Sequence, residues 1–186
     1  MKNFFRFVFE LIKIVVISLV IIFPIRYFLI QPFYVKGASM EPNFFENEYL
    51  IIDEITYRFS EPKRGDIVVF RYPNDPQEYF IKRIIGLPGE TIDFENGNIY
   101  IKSGNNSGDE SIKEPYLSEG IKTYPLRESS YNLSQDEYFV LGDNRNVSKD
   151  SRTFGPVNKS FLIGRVLLRG WPFNRFGLLV RQDYQY

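Results

Sequence analysis

The feature that most limits what this chain can fold into is an apolar run over residues 7–30, interrupted only by Glu10, Lys13, Pro24 and Arg26. Roughly 20 such residues suffice to cross a bilayer, so the run predicts one transmembrane helix over about 7–30 inside an N-terminal anchor, residues 1–30. Glu10 and Lys13 fall on one helical face, where they can pair, and Arg26 can snorkel at the far end. Lys2, Arg6 and Lys13 lie before or near the start of the run and Arg26 and Lys36 near or past its end, a slight bias toward a cytoplasmic N-terminus. The small residues Gly37, Ala38 and Ser39 would suit a cleavage site, but they lie well past the run, beyond Gln31 and Pro32, and favour an uncleaved anchor.

Beyond residue 30 the pattern changes to short strands. The β-branched and aromatic runs 48–53, 66–72 and 79–85 are bounded by Pro62, Gly65, Pro73, Asn74, Pro76 and Gly86. Residues 91–95 and 98–102 flank Asn96-Gly97, the strongest short signal for a two-residue hairpin. The stretch 103–134 loses apolar periodicity and reads as a surface insertion with at most short strands. Residues 137–142 and 161–170 return to the core as strands. No amphipathic helix strong enough to build an α/β fold follows the anchor, so residues 31–186 should form a mainly β domain.

Composition narrows the chemistry. The chain has no histidine, no cysteine, and 23 basic against 23 acidic residues. The balance argues against a nucleic-acid binder, and the missing ligand types argue against zinc, haem and iron-sulfur sites, so no metal or cofactor is expected. Ser-His-Asp and Cys-His catalysis are likewise excluded. Nucleophilic chemistry here needs a Ser or Thr whose proton is taken by a lysine or a carboxylate.

Two stretches carry such groups, Gly37-Ala38-Ser39-Met40-Glu41-Pro42-Asn43 and Tyr79-Phe80-Ile81-Lys82-Arg83-Ile84-Ile85-Gly86-Leu87-Pro88-Gly89-Glu90. Strand alternation puts Phe80, Lys82 and Ile84 on one face and Tyr79, Ile81, Arg83 and Ile85 on the other, so either cation can point inward. Only Lys82 can act as a base. A free lysine is neutral about 0.04% of the time at pH 7, and burial against Phe80 and Ile84 can lower its pKa by roughly 3 units. A third cluster runs from Gly142 through Asp143, Asn144, Arg145, Ser148, Lys149, Asp150 and Ser151 to Arg152. It reads either as a solvated turn or as a loop in which Ser148 or Ser151 positions the lysine amine while Asp150 and Arg152 form an ion pair.

Three weaker patterns are set aside. Ser60-Glu61-Pro62-Lys63 has the S-x-x-K spacing, but Pro62 breaks the helix that motif needs. Arg64-Gly65-Asp66 matches an adhesion tripeptide and is explained more simply as a turn into a strand. The Asn-x-Ser matches at Asn105, Asn132, Asn146 and Asn158 have meaning only in a glycosylating host.

Taken in order, Ser39-Met40-Glu41-Pro42, the 64–70 segment, the 82–90 segment and the Gly142-Asp143-Asn144-Arg145 loop with Ser148, Asp150, Ser151 and Arg152 resemble the sequence boxes of bacterial type I signal peptidases. The resemblance implies a signal-peptidase-like β catalytic domain outside the cytoplasmic membrane, held by a single pass with its N-terminus in the cytoplasm, that removes signal peptides from exported preproteins. It implies Ser39 as nucleophile, Lys82 as general base, Ser148 as the hydroxyl aligning the amine, and Asp143, Arg145, Asp150 and Arg152 as support. The Ser39 N–H would donate to the oxyanion. Gly37 stands where many members carry the second, hydroxyl-bearing donor, leaving that role open to a backbone N–H or a water. Val35, Met40, Phe44, Phe80 and Ile81 would line shallow pockets for small substrate side chains beside an added strand. Partners implied are preproteins, the lipid bilayer and the translocation machinery. Phe33, Tyr34, Trp171, Phe173 and Phe176 could rest on the bilayer interface, or the last three could be core. A Ser-Lys autoprotease of the repressor type and a non-catalytic membrane-tethered binding module are the competing readings.

Overall fold

The computed structural model describes residues 2–24, 31–103, 106–179, 181 and 184. The first element is a helix, α1 (Lys2–Pro24), whose large apolar side chains, from Phe4 and Phe5 to Ile22 and Phe23, are exposed. It starts earlier than the expected 7–30 span, and residues 25–30, including Arg26, lie outside the described residues. Among the described residues no helix is long and apolar enough to cross a membrane. Arg6, Glu10 and Lys13 occupy the first half of α1, and the described part of the helix ends at Pro24.

The rest of the chain is mainly β. Its strands are β1 (Gln31–Tyr34), β2 (Tyr49–Asp53), β3 (Ile67–Tyr72), β4 (Asp75–Gly86), β5 (Glu90–Glu95), β6 (Asn98–Ser103), β7 (Asn106–Ser111), β8 (Ser130–Asn132), β9 (Glu137–Leu141), β10 (Val157–Asn158), β11 (Leu162–Trp171) and β12 (Gly177–Leu178). All the pairings are antiparallel. One sheet runs β1-β2-β11-β3-β4-β9-β10 with β12 added to β11, and a smaller one runs β7-β6-β5-β8. The hairpin expected at Asn96-Gly97 joins β5 to β6, with φ of 51° and 79° at the two turn residues, as a left-handed two-residue turn requires. Two short helices, α2 (Thr56–Phe59) and α3 (Ser151–Phe154), fill corners.

β4 organises the domain. Its first half pairs only with β3, with Val68 opposite Lys82, and from Arg83 onward it also pairs with β9. It then leads through Leu87-Pro88-Gly89 into β5 and the second sheet. Both faces of its last residues are covered: Ile84 joins a core with Val68, Phe70, Tyr138 and Val140, while Ile85 joins one with Ile92, Phe139 and Leu141. Lys82 and Arg83 are therefore both buried, at 4% and 3% exposure, although strand alternation sends them to opposite faces.

The segment after β7 folds onto the body. Ile112, Tyr131 and Leu133 enter the core of the smaller sheet. The Arg64-Gly65-Asp66 turn is internal: Arg64 forms an ion pair with Glu90 at 2.6 Å, and the Asp66 carboxylate accepts from Tyr57 Oη and the Lys63 amide, each at 2.9 Å. A tripeptide held in that way is not presented for adhesion.

Candidate active site

The sequence between β1 and β2 forms a series of turns that fixes Ser39. Phe44 N–H donates to the Met40 carbonyl at 2.9 Å, and the side chains of Met40 and Phe44 are fully buried beside Val35, Leu50, Ile52 and Val69. Burial of these two large side chains stakes down the residues after Ser39. From the other side, Asn144 N–H donates to the Ser39 carbonyl at 3.0 Å. Backbone on both sides of the hydroxyl is thus held while the residue itself stays partly exposed.

Lys82 reaches the same point from β4. Its Nζ lies 2.8 Å from Ser39 Oγ and 2.8 Å from the Ile81 carbonyl oxygen, which accepts from it. The ring of Phe80 is 5.3 Å from Nζ. Burial pushes the Lys82 pKa down from 10.5 to about 8, against the opposing pull of the Asp150 and Asp143 carboxylates. An amine with that value is neutral for about a tenth of molecules at pH 7, against about 0.03% for an ordinary lysine.

Both carboxylates are compensated by bidentate arginines. Asp143 accepts from Arg83 Nε and Nη2 at 2.8 and 2.7 Å, and Asp150 accepts from Arg152 Nε and Nη2 at 2.9 and 2.8 Å. All four side chains are buried. Such fork-on-fork pairs spread the acid charge over a guanidinium and leave less of it for the lysine. Asp150 also accepts from the Gly142 amide at 3.1 Å, and Arg145 Nε donates to the Gly142 carbonyl at 2.9 Å. Gly142 is needed for close approach: a Cβ there would stand 2.1 Å from Ser148 Oγ and 2.5 Å from the Ser39 carbonyl oxygen.

The other residues singled out from sequence are placed less uniformly. Ser148 is buried in the loop beside Gly142, but its Oγ has no hydrogen-bond partner among the described residues. Ser151 turns away, its Oγ accepting from the Val140 amide at 3.0 Å. Gly37 has φ +77°, open space around its α-carbon, and an amide that donates to Glu46 Oε1 at 3.2 Å. No described residue takes the Ser39 amide, which leaves that N–H available.

A groove of about 810 Å³ opens over Ser39 and Lys82, bounded on one side by residues 33–38 and on the other by residues 77–82. The Phe33 and Tyr79 rings, one from each side, meet edge to face with centres 5.6 Å apart. Val35, Phe80 and Ile81 line it. Met40 and Phe44, expected as further pocket residues, are buried directly beneath the floor in the same cluster as Val35. On the groove side the first half of β4 has no ladder partner before Arg83, and β1 is an edge strand, so strand edges border the groove on both sides. Lys149 sits at the rim with Nζ 4.3 Å from the Tyr72 ring centre. Trp171, Phe173 and Phe176 are exposed at 48%, 76% and 59%, which excludes the core reading for them.

Reading the sequence alone passed over Asn43, Glu114, Tyr116 and Thr123. Asn43 Nδ2 donates to Asp143 Oδ2 at 2.8 Å and to the Tyr116 carbonyl at 3.1 Å. Arg145 binds the Glu114 carboxylate, Thr123 Oγ1 and Tyr116 Oη. The three last residues come from the 103–134 stretch, where apolar and aromatic residues spaced among polar ones were the available signal.

A hydroxyl in contact with a buried amine whose pKa is drawn toward neutrality, at the floor of an apolar groove bordered by strand edges, defines a site suited to acyl transfer on an extended peptide. Comparison with known proteins agrees. A family model, signal peptidase, peptidase S26, matches residues 8–171. A probable signal peptidase I-2 of Synechocystis is 39% identical over 178 residues, covering 91% of this chain and 76% of that protein. A signal peptidase IB of Staphylococcus aureus is 32% identical over 182 residues, covering 90% of this chain and 91% of that protein. A solved signal peptidase I from Enterococcus faecalis shares 32% identity, with a TM-score of 0.47 over 57% of this chain and 97% of that one. The chain belongs to the signal peptidase family, peptidase S26.

Proposed function

We propose that this protein, a serine endopeptidase that cleaves signal peptides, works through Ser39 and Lys82. The observation that carries this reading is the 2.8 Å contact between Ser39 Oγ and a buried Lys82 Nζ whose pKa is drawn down to about 8. When the amine is neutral, the contact runs from the hydroxyl to the nitrogen lone pair. Oγ attacks the scissile carbonyl carbon and its proton passes to Nζ, giving an ammonium and a tetrahedral intermediate. The Ser39 N–H is the donor for the developing oxyanion, with a water or a second backbone N–H in place of the side chain that Gly37 lacks; one such donor is worth about 2.7 to 4 kcal/mol. As the C–N bond breaks, Nζ returns the proton to the leaving amine. Water then attacks the ester carbon, losing its proton to Nζ, and as the C–Oγ bond breaks Nζ returns that proton to Ser39 Oγ, restoring the neutral amine.

The substrate is the signal-peptide segment of a preprotein, bound as a strand between residues 33–38 and 77–82 with alternate side chains turned toward Val35, Phe80 and Ile81. Ser148, whose buried Oγ has no hydrogen-bond partner among the described residues, aligns the Lys82 amine once substrate excludes water. Residues 1–30 anchor the domain to the bilayer with the N-terminus cytoplasmic: Glu10 and Lys13, three apart on α1, can pair and so enter apolar surroundings. The exposed Trp171, Phe173 and Phe176 rest at the lipid interface, near the translocation machinery that delivers substrate.

The test is to incubate detergent-purified protein with a preprotein carrying Ala-x-Ala before its cleavage site. Ser39→Ala and Lys82→Arg should each abolish cleavage, the second despite retained charge. Normal turnover by Lys82→Arg would remove the proposed base.

A further inference from the structure

The segment that follows β7 contributes no group to the reacting atoms, yet one of its residues touches structures on both sides of the dyad. The Tyr116 ring lies under the Arg83 guanidinium, with the guanidinium carbon 3.8 Å from the ring centre. Its carbonyl accepts from Asn43 Nδ2 at 3.1 Å, and its hydroxyl contacts Arg145 Nη2 at 3.1 Å and Tyr184 Oη at 2.9 Å. Asn43 is four residues past Ser39, Arg83 is next to Lys82, and Arg145 holds the carbonyl of Gly142, against whose α-carbon Ser39 and Ser148 pack. Glu114 clamps Arg145 from the same segment, Nη1 to Oε2 at 2.8 Å.

The geometry points to Tyr116 as a positioning residue for the Ser39–Lys82 reaction, acting through Arg83, Asn43 and Arg145, with Glu114 and Tyr184 holding it in place. This rests on the dyad reading above. A flat, rigid ring stacked on a guanidinium fixes the plane of the fork, and the fork plane decides whether Asp143 is met bidentately. Loss of the ring lets Arg83 swing, shifts Lys82 along β4 relative to Ser39, and leaves the Asp143 carboxylate less compensated. Displacements of around 1 Å in a reacting pair cost as much as 100-fold in rate. The groove walls at 33–38 and 77–82 are not among the contacts of Tyr116, so substrate binding should be little affected.

The test compares Tyr116→Leu, Tyr116→Phe and Glu114→Gln with the parent for kcat, KM and the pH profile of preprotein cleavage, each normalised to folded protein. Tyr116→Leu should lower kcat by at least about tenfold, leave KM within about twofold, and move the acid limb of the profile to higher pH. The move follows from the groups that face Lys82: Ser39 from the β1–β2 turns, Arg83 from β4, and Asp143, Arg145, Lys149, Asp150 and Arg152 from the loop after β9. Of these, Asp143 loses its compensation and favours the ammonium. Tyr116→Phe and Glu114→Gln keep the ring and should show smaller losses in kcat of the same kind, so a Leu variant that does not fold leaves the inference open to refutation. Parent-like kcat and pH limb in all three, in a parent enzyme that Ser39→Ala silences, would overturn the role of Tyr116 alone. A Ser39→Ala protein that still cleaves would instead overturn the dyad.

Discussion

Lys82 is the residue on which the chemistry turns, and its titration has two measurable consequences. With a folded pKa near 8, cleavage should rise about tenfold per pH unit below 8 and level off above it, read from kcat/KM against pH. The second consequence is for stability. The folded-state value lies below the unfolded one, so below pH 8 the folded chain carries the full cost of a buried ammonium. Between pH 8 and 10.5 the folded chain has shed the proton while the unfolded chain keeps it, and stability rises. Lys82→Met should therefore be the more stable protein at pH 6, by about 3 kcal/mol at 1.36 kcal/mol per pKa unit, and lose that advantage toward pH 10.5. Denaturant unfolding at the two pH values checks this. Lys82 could be singled out from sequence because arginine is no base and Phe80 and Ile84 are apolar. The burial of Arg83 beside it could not, since the carboxylate that makes it tolerable, Asp143, is 60 residues away.

At the scale of elements, the loop from Gly142 to Arg152 is a scaffold that fixes Ser39 from behind. Gly142→Ala should cut kcat by about 100-fold or more, because its Cβ has no room beside the Ser39 carbonyl and Ser148. Gly97→Ala, at a φ of +79° in the β5–β6 turn and with its Cβ 2.8 Å from Lys122 Cβ, should cost about 1 kcal/mol or more in stability and change kcat far less than Gly142→Ala. The two glycines thus separate folding from alignment, as thermal melts and kinetics on the same variants would show. Strands at 67–72, 90–95 and 98–103 were legible from residue type and turn chemistry, which are local properties. The ties from 103–134 to Arg83 and Arg145 were not, because side-chain bonds between distant segments leave no period in the chain. Met40 and Phe44 were legible only as residues to be buried, because apolar character does not say whether a groove or a core receives a side chain.

Over the whole molecule, an exposed apolar helix, an exposed aromatic corner at Trp171, Phe173 and Phe176, and a groove edged by free strands belong to one arrangement in the proposed reading. Removal of residues 1–30 should preserve cleavage of a soluble peptide within about threefold. It should lower cleavage of a preprotein embedded in vesicles by at least about tenfold, since tethering raises the effective concentration of enzyme at the surface. Assaying both substrates with both proteins measures the anchor apart from the chemistry. With 23 basic and 23 acidic residues the chain has no net charge to steer a charged partner, so cleavage of the soluble peptide should vary little between low and physiological salt. The claim beneath all of this is that the Lys82 amine gives up its proton near neutrality while in contact with Ser39. Selective nitrogen NMR of the Lys82 side chain, followed from pH 6 to 11, reads that directly. A single titration centred near 8 is the predicted result; a midpoint at the ordinary lysine value of 10.5 would contradict it.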